Sequence, residues 1–132
     1  MDLRVKSVDG SAWIDCRDFR PVDDTTYRGR LQFLCDAGPL AREFWFDRYA
    51  LTEFVREATW ARRSLSGEAE LARAESSDRL RLVRDAQGWH FALDLIDLAH
   101  APDGTLRVAI DVDDLEATAV IDTFARLASA SA

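Results

Sequence analysis

Cysteine is scarce in this sequence: Cys16 and Cys35 are the only two in 132 residues. No C-x-x-C or similar short spacing joins them, so neither a zinc knot nor a dithiol redox pair fits. Each stands in an alternating apolar pattern, Ile14 with Cys16 and Leu31 and Phe33 with Cys35, which predicts buried, reduced core thiols. Long hydrophobic runs are missing too. Crossing a bilayer takes about 20 consecutive apolar residues, and no stretch approaches that. The opening MDLRVKSV carries neither a basic segment nor an apolar one for export, and the expected location is the cytoplasm. Lysine is nearly absent, with Lys6 standing alone among 17 basic residues. Arginine suits bidentate carboxylate pairs and interfaces, although an arginine-rich coding bias would give the same count without functional content. Also lacking are G-x-G-x-x-G, a P-loop and any G-x-S-x-G around the serines, so no nucleotide cradle or nucleophile elbow is visible.

What is present belongs to a soluble globular chain. Apolar residues make up 48% and charged residues 31%, which is too apolar for disorder and predicts one compact domain over residues 1–130. A formal net charge of −7 disfavours non-specific nucleic-acid binding and would steer a basic partner inward.

The apolar residues alternate along the first third of the chain. Leu3 and Val5, then Trp13 or Ile14, recur with the two-residue period of half-buried strands, and Asp9-Gly10 between them is a hairpin signal. After the loop RPVDDTTYRG, the run RLQFLCD resumes the pattern up to Gly38-Pro39. AREFWFD reads as a fourth strand, with Phe44 and Phe46 on one face and Trp45 on the other. Aromatics on both faces predict a central strand. The period then changes: Leu51, Phe54, Val55, Ala58 and Leu65 fall on one side of a helix from about Tyr49 to Leu65, opened by Asp47.

The stretch SLSGEAEL sets Gly67 and two glutamates just past that helix. Gly67 is expected to hold the left-handed residue that ends it. Glu68 and Glu70 then alternate with Ala69 and Leu71, so a solvated strand face explains them better than acid/base chemistry does. Three more strands follow, RLRLVRD, WHFALDLIDL and TLRVAID, with Trp89, Phe91, Leu93 and Leu95 on one face. Asp113 with Glu116 three residues on opens a final helix that buries Ala117, Val120, Ile121, Phe124 and Leu127. The expected fold is therefore α+β, a mostly antiparallel sheet of about eight strands with two helices packed against it, in the order ββββα-ββββα. Phe46-Asp47 leading to Leu51, and Ile110-Asp111 leading to Leu115, echo each other as in a pseudo-repeat of 1–66 and 67–130.

The chemistry-bearing side chains form no recognised pattern. Acids crowd residues 94–116, but the segment D-V-D-D-L-E lacks the glycine and the twelfth-position acid of a calcium loop and is explained as a helix start. His90 and His100 lie ten residues apart, not at ligand spacing. No metal, cofactor or catalytic residue is expected. On the first helix, by contrast, Tyr49, Glu53, Arg56 and Trp60 share the side opposite the apolar stripe. Mixtures of aromatics and arginine of this kind are favoured at protein interfaces. A covering loop or helix, or stacking on Arg56, is the competing account of Trp60.

The order of elements, the run Leu51, Phe54 and Val55, SLSGEAEL with Gly67, Ala69 and Leu71, the G-W-x-F of Gly88–Phe91 and the D-x-x-x-L of Asp111–Leu115 together resemble the WapI-type bacterial immunity proteins and related small bacterial domains. That resemblance implies a cytoplasmic protein that binds and blocks a toxin domain without chemistry of its own, and it carries over no catalytic residue. The expected partner is thus another protein, a basic toxin domain being compatible with the charge, and not nucleic acid or membrane. The expected contact residues are Tyr49, Glu53, Arg56 and Trp60, with Asp97 and Asp114 on an acidic rim. Two alternatives stand beside this one. One is a small hydrolase or metal-dependent enzyme using Asp94, Asp97, His90 or His100. The other is a self-associating structural protein with Trp60 buried across a two-fold axis, and the expected oligomeric state is monomer or homodimer.

Overall fold

In the computed structural model, which describes residues 1–34, 39–96 and 104–130, the chain runs β1 (Leu3–Lys6), β2 (Trp13–Pro21), β3 (Thr26–Leu34), β4 (Leu40–Asp47), α1 (Arg48–Ser64), β5 (Gly67–Ala72), β6 (Arg79–Asp85), β7 (Gly88–Ile96), β8 (Thr105–Val112) and α2 (Asp114–Ala128). This is the ββββαββββα order expected from the periodicities. The eight strands divide into two antiparallel sheets, β1-β2-β3-β4 and β5-β6-β7-β8. Helix α1 is the reason for the division, because it interrupts the run of short connections between β4 and β5. Among the described residues, backbone hydrogen bonds join the halves at two places: Val8 N–H donates to Asp111 O at 2.8 Å, and Ala74 N–H donates to Trp45 O at 2.8 Å.

Strand alternation sends Val5, Ile14, Cys16, Leu31, Phe44 and Phe46 inward. On β2 the phase changes partway. An extra residue near Asp18, whose φ is 58°, shifts the β2–β3 register between Arg17 and Arg20, and Phe19 faces the core where strict alternation would have put Asp18. Gly29 lies opposite this bulge. A Cβ there would sit 2.5 Å from the Phe19 ring, so the absence of a side chain makes the room that the ring occupies. The Cys16 thiol is fully buried and unpaired, and desolvation pushes its pKa up; Cys35 lies outside the described residues.

β4 is an edge strand, contrary to the expectation from its two-faced aromatics. The outward Trp45 needs no neighbouring strand, because Arg73 lies 3.8 Å from its ring centroid and Arg28 5.7 Å. The termination of α1 also differs from expectation. Leu65 takes the left-handed cap at φ 65° and is 67% exposed, so it leaves the apolar stripe, and Ala61 fills the buried position. Gly67, at φ 147°, is required for another reason: a Cβ on it would approach the Ala61 Cβ to 3.0 Å, where β5 packs on the helix.

Both helix starts behave as the sequence predicts, with the Asp47 carboxylate accepting from Ala50 N–H at 2.7 Å and Asp113 accepting from Glu116 N–H at 2.8 Å. The two echoed leucines hold different places relative to these caps. Leu51 is buried whereas Leu115 is 81% exposed, because Asp111 belongs to β8 and Asp113 holds the capping position. One continuous core draws on both sheets and both helices. Phe124 of α2 meets Phe54 of α1 at 5.2 Å and Phe19 of β2 at 6.2 Å between ring centroids. Among the described residues no helix is long and apolar enough to cross a membrane.

Candidate functional site

The outer side of α1 is set by the same 3.6-residue period that buries Leu51, Phe54, Ala58 and Ala61. Tyr49 is 75% exposed and Trp60 66% exposed on that side. Between them Arg56 closes on Glu53 through both Nε and NH2, a pairing that raises the guanidinium pKa and lowers that of the carboxylate. Toward the C-terminal end, Arg56, Thr59, Trp60 and Arg63 line a shallow groove of about 300 Å³. Thr59 is turned away from any ligand, its hydroxyl donating to Val55 O at 2.8 Å. Arg62 points toward α2 and lies 3.6 Å from Asp122. Arg63 has no hydrogen bond or ion pair among the described residues.

Trp60 differs from the other three tryptophans. Trp13 lies under Arg4, Trp45 under Arg28 and Arg73, and Trp89 under Arg84. Among the described residues nothing of this kind covers Trp60, so neither a loop nor stacking on Arg56 accounts for it. An uncovered indole beside an uncommitted guanidinium can bury apolar area and bind a carboxylate at once.

The acidic rim does not join this surface as one site. Asp114 is exposed, but its Oδ1 accepts from the Trp89 indole N–H at 2.9 Å, which ties the start of α2 to β7. Asp97 lies outside the described residues, as do His100 and Asp103. Arg63 and Thr59, which sequence reasoning did not single out, complete the groove instead; for Arg63 the i+3 offset from Trp60 was the available signal.

The residues of the enzymatic alternative that are described are each closed by partners of their own. Asp94 is clamped by Arg107 at 2.9 and 3.2 Å and lies 3.1 Å from Arg81, whose other neighbour is Glu68. His90 lies against two acids, Nδ1 at 2.7 Å from Asp111 and Nε2 at 3.0 Å from Asp85. The β7–β8 register pairs His90 with Asp111, and the turn at residues 85–88 brings Asp85 across, so these neighbours come from strand pairing and not from a sequence offset. The hydrogen bond to Asp85, then that to Asp111, raise the imidazole pKa above its ordinary 6.5. With both ring nitrogens held by carboxylates, the ring presents no free lone pair to a substrate. His90 and Asp94 share the outer face of β7 about 13 Å apart at the usual strand rise, separated by Ala92. Among the described residues no group of three or more His, Cys, Asp or Glu side chains could hold a metal ion.

A second cleft, of about 360 Å³, lies between the turn at residues 7–12 and β8. Both of its carboxylates are already engaged: Asp9 accepts from Ser11 N–H and from the hydroxyls of Ser11 and Ser7, which hold its pKa down at about 2, and Asp111 lies against His90. With this geometry in place, comparison with known proteins returns no family model, no curated protein and no solved structure that matches the chain.

Proposed function

We propose that this protein is a non-catalytic binding module of the immunity type, which captures and blocks another protein on the outer face of α1. The observation that carries the proposal is Trp60, the one tryptophan without an arginine over its ring among the described residues, set between Arg56 and Arg63 and on the same stripe as the exposed Tyr49. Energetic centres of interfaces are enriched in Trp, Tyr and Arg. The net charge of −7 favours a basic partner, because opposite charge raises the association rate. The engagement of His90 and Asp94 by their own counter-ions supports binding over catalysis.

The test begins with identification of the partner by pull-down and mass spectrometry from the source organism, followed by calorimetry with the purified pair. Trp60→Ala is expected to weaken binding at least 100-fold, the loss of ~3 kcal/mol typical of a central aromatic anchor, with the melting temperature unchanged. Equal affinity of wild type and Trp60→Ala for the partner would sink the proposal.

A further inference from the structure

We infer that, when no partner is bound, the outer face of α1 is closed by a second copy of the same helix, related by a two-fold axis and running antiparallel. The inference rests on the reading of that face as a docking surface and adds its regulation. Four residues carry it: Glu53, Arg56, Trp60 and Arg63. Their spacing along the helix is three, four and three, which reads the same in both directions, so a copy turned about the point midway between Arg56 and Trp60 presents the same rows of positions. In that arrangement Glu53 faces Arg63 of the other copy, and Arg56 faces Trp60 of the other copy, each contact occurring twice.

The pairing meets the needs of these four residues, while Tyr49 lies beyond its end. Arg63, which has no ion pair within the chain among the described residues, gains a carboxylate. Trp60 gains the guanidinium that the other three tryptophans receive within the monomer. Arg56 stays on Glu53 while its flat face covers the opposite indole, as Arg73 covers Trp45 while bound to Asp78. A parallel helix pair would instead set Arg63 against Arg63 and Glu53 against Glu53, so the charges also select the direction.

The contact is small. A stable, specific interface takes about 20–30 residues a side, and a four-residue stripe falls well short, so the pair is weak, forming at micromolar concentration and giving way to a better-fitting partner. The two occupants compete for Trp60, and self-association therefore sets a concentration-dependent threshold for capture.

Sedimentation velocity of the full chain, across 1–500 µM as an order-of-magnitude range suited to weak pairs, tests the inference. The wild type is expected to shift from monomer to dimer within it. Arg63→Glu alone and Glu53→Arg alone each set like charges opposite one another and are expected to weaken association more than tenfold. The double variant Glu53→Arg/Arg63→Glu restores opposite charges across the axis and should dimerise more tightly than either single variant, though less tightly than the wild type, because Arg56 loses the carboxylate it holds within the chain. A wild type that stays monomeric throughout would overturn the inference, as would a dimer indifferent to Arg63→Glu or a double variant as weak as the singles. Loss of the dimer in any of these ways leaves the partner-affinity test of Trp60→Ala standing, so the two proposals fail separately.

Discussion

His90 shows how a residue with catalytic credentials is put to structural use. Its ring bridges β8 and the turn before β7, with Asp111 on one nitrogen and Asp85 on the other. Because the folded state holds its pKa above the unfolded value near 6.5, the stabilisation is full below that value and is lost as pH rises through the higher folded one. Asp85 works in the other direction. Its pKa is lowered by the same contact, so its contribution is present above the ordinary carboxylate range and disappears in acid. His90→Gln should therefore lower the melting temperature most at mildly acidic pH, around 5.5, with the gap to wild type closing by about pH 8.5; a gap that widens toward alkaline pH would contradict the bridge. None of this was legible in the sequence, where the histidine has aromatic neighbours and its acids lie five and 21 positions away. The Phe19–Gly29 fit was equally hidden, since a bulge changes the inward phase without changing composition.

Elements were far more legible than these contacts. Strand and helix periods are read from near neighbours, which is why the elements other than β3 fall within a few residues of where the apolar pattern puts them; β3 starts at Thr26, inside the stretch 20–29 whose polar composition reads as a loop, and β2 runs on to Pro21, so the loop shrinks to residues 22–25. The starts were clear as well, because an N-cap acid acts on a backbone N–H three positions away. Asp113→Ala removes that acceptor and is expected to cost ~1 kcal/mol in chemical denaturation, with Asp113→Asn retaining most of it. A loss indistinguishable from zero would mean that Trp89–Asp114 alone anchors the start of α2. The end of α1 was misread because two residues compete for the left-handed role, and Leu65 took it although Gly67 is the cheaper choice by intrinsic preference. Gly67 is held by a different demand, the approach of β5 to Ala61. The outward placement of Tyr49, Glu53, Arg56 and Trp60 could be read from the helical wheel alone. That Trp60 lacks a guanidinium cover could not, since the other tryptophans take theirs largely from other strands.

For the molecule as a whole, the division into two sheets follows from α1 interrupting the short connections between β4 and β5 and packing chiefly on β5, a long-range outcome that local periodicity does not encode. Phe124 is where the halves meet, touching Phe54 and Phe19 while fully buried. Phe124→Ala is expected to destabilise by about 3–5 kcal/mol in urea titration and to leave one cooperative transition. Separate transitions for the two sheets would show that the shared core is less binding than its contacts imply.

The placement of α2 also bears on synthesis. Phe19, made early, finds its ring neighbour in Phe124, made more than a hundred residues later. A ribosome-bound nascent chain that has released only the first sheet and α1 lacks the α2 side chains that complete the shared core, Phe124 among them. The shielding of that unfinished core falls to chaperones, or to speed, until translation has passed the final helix.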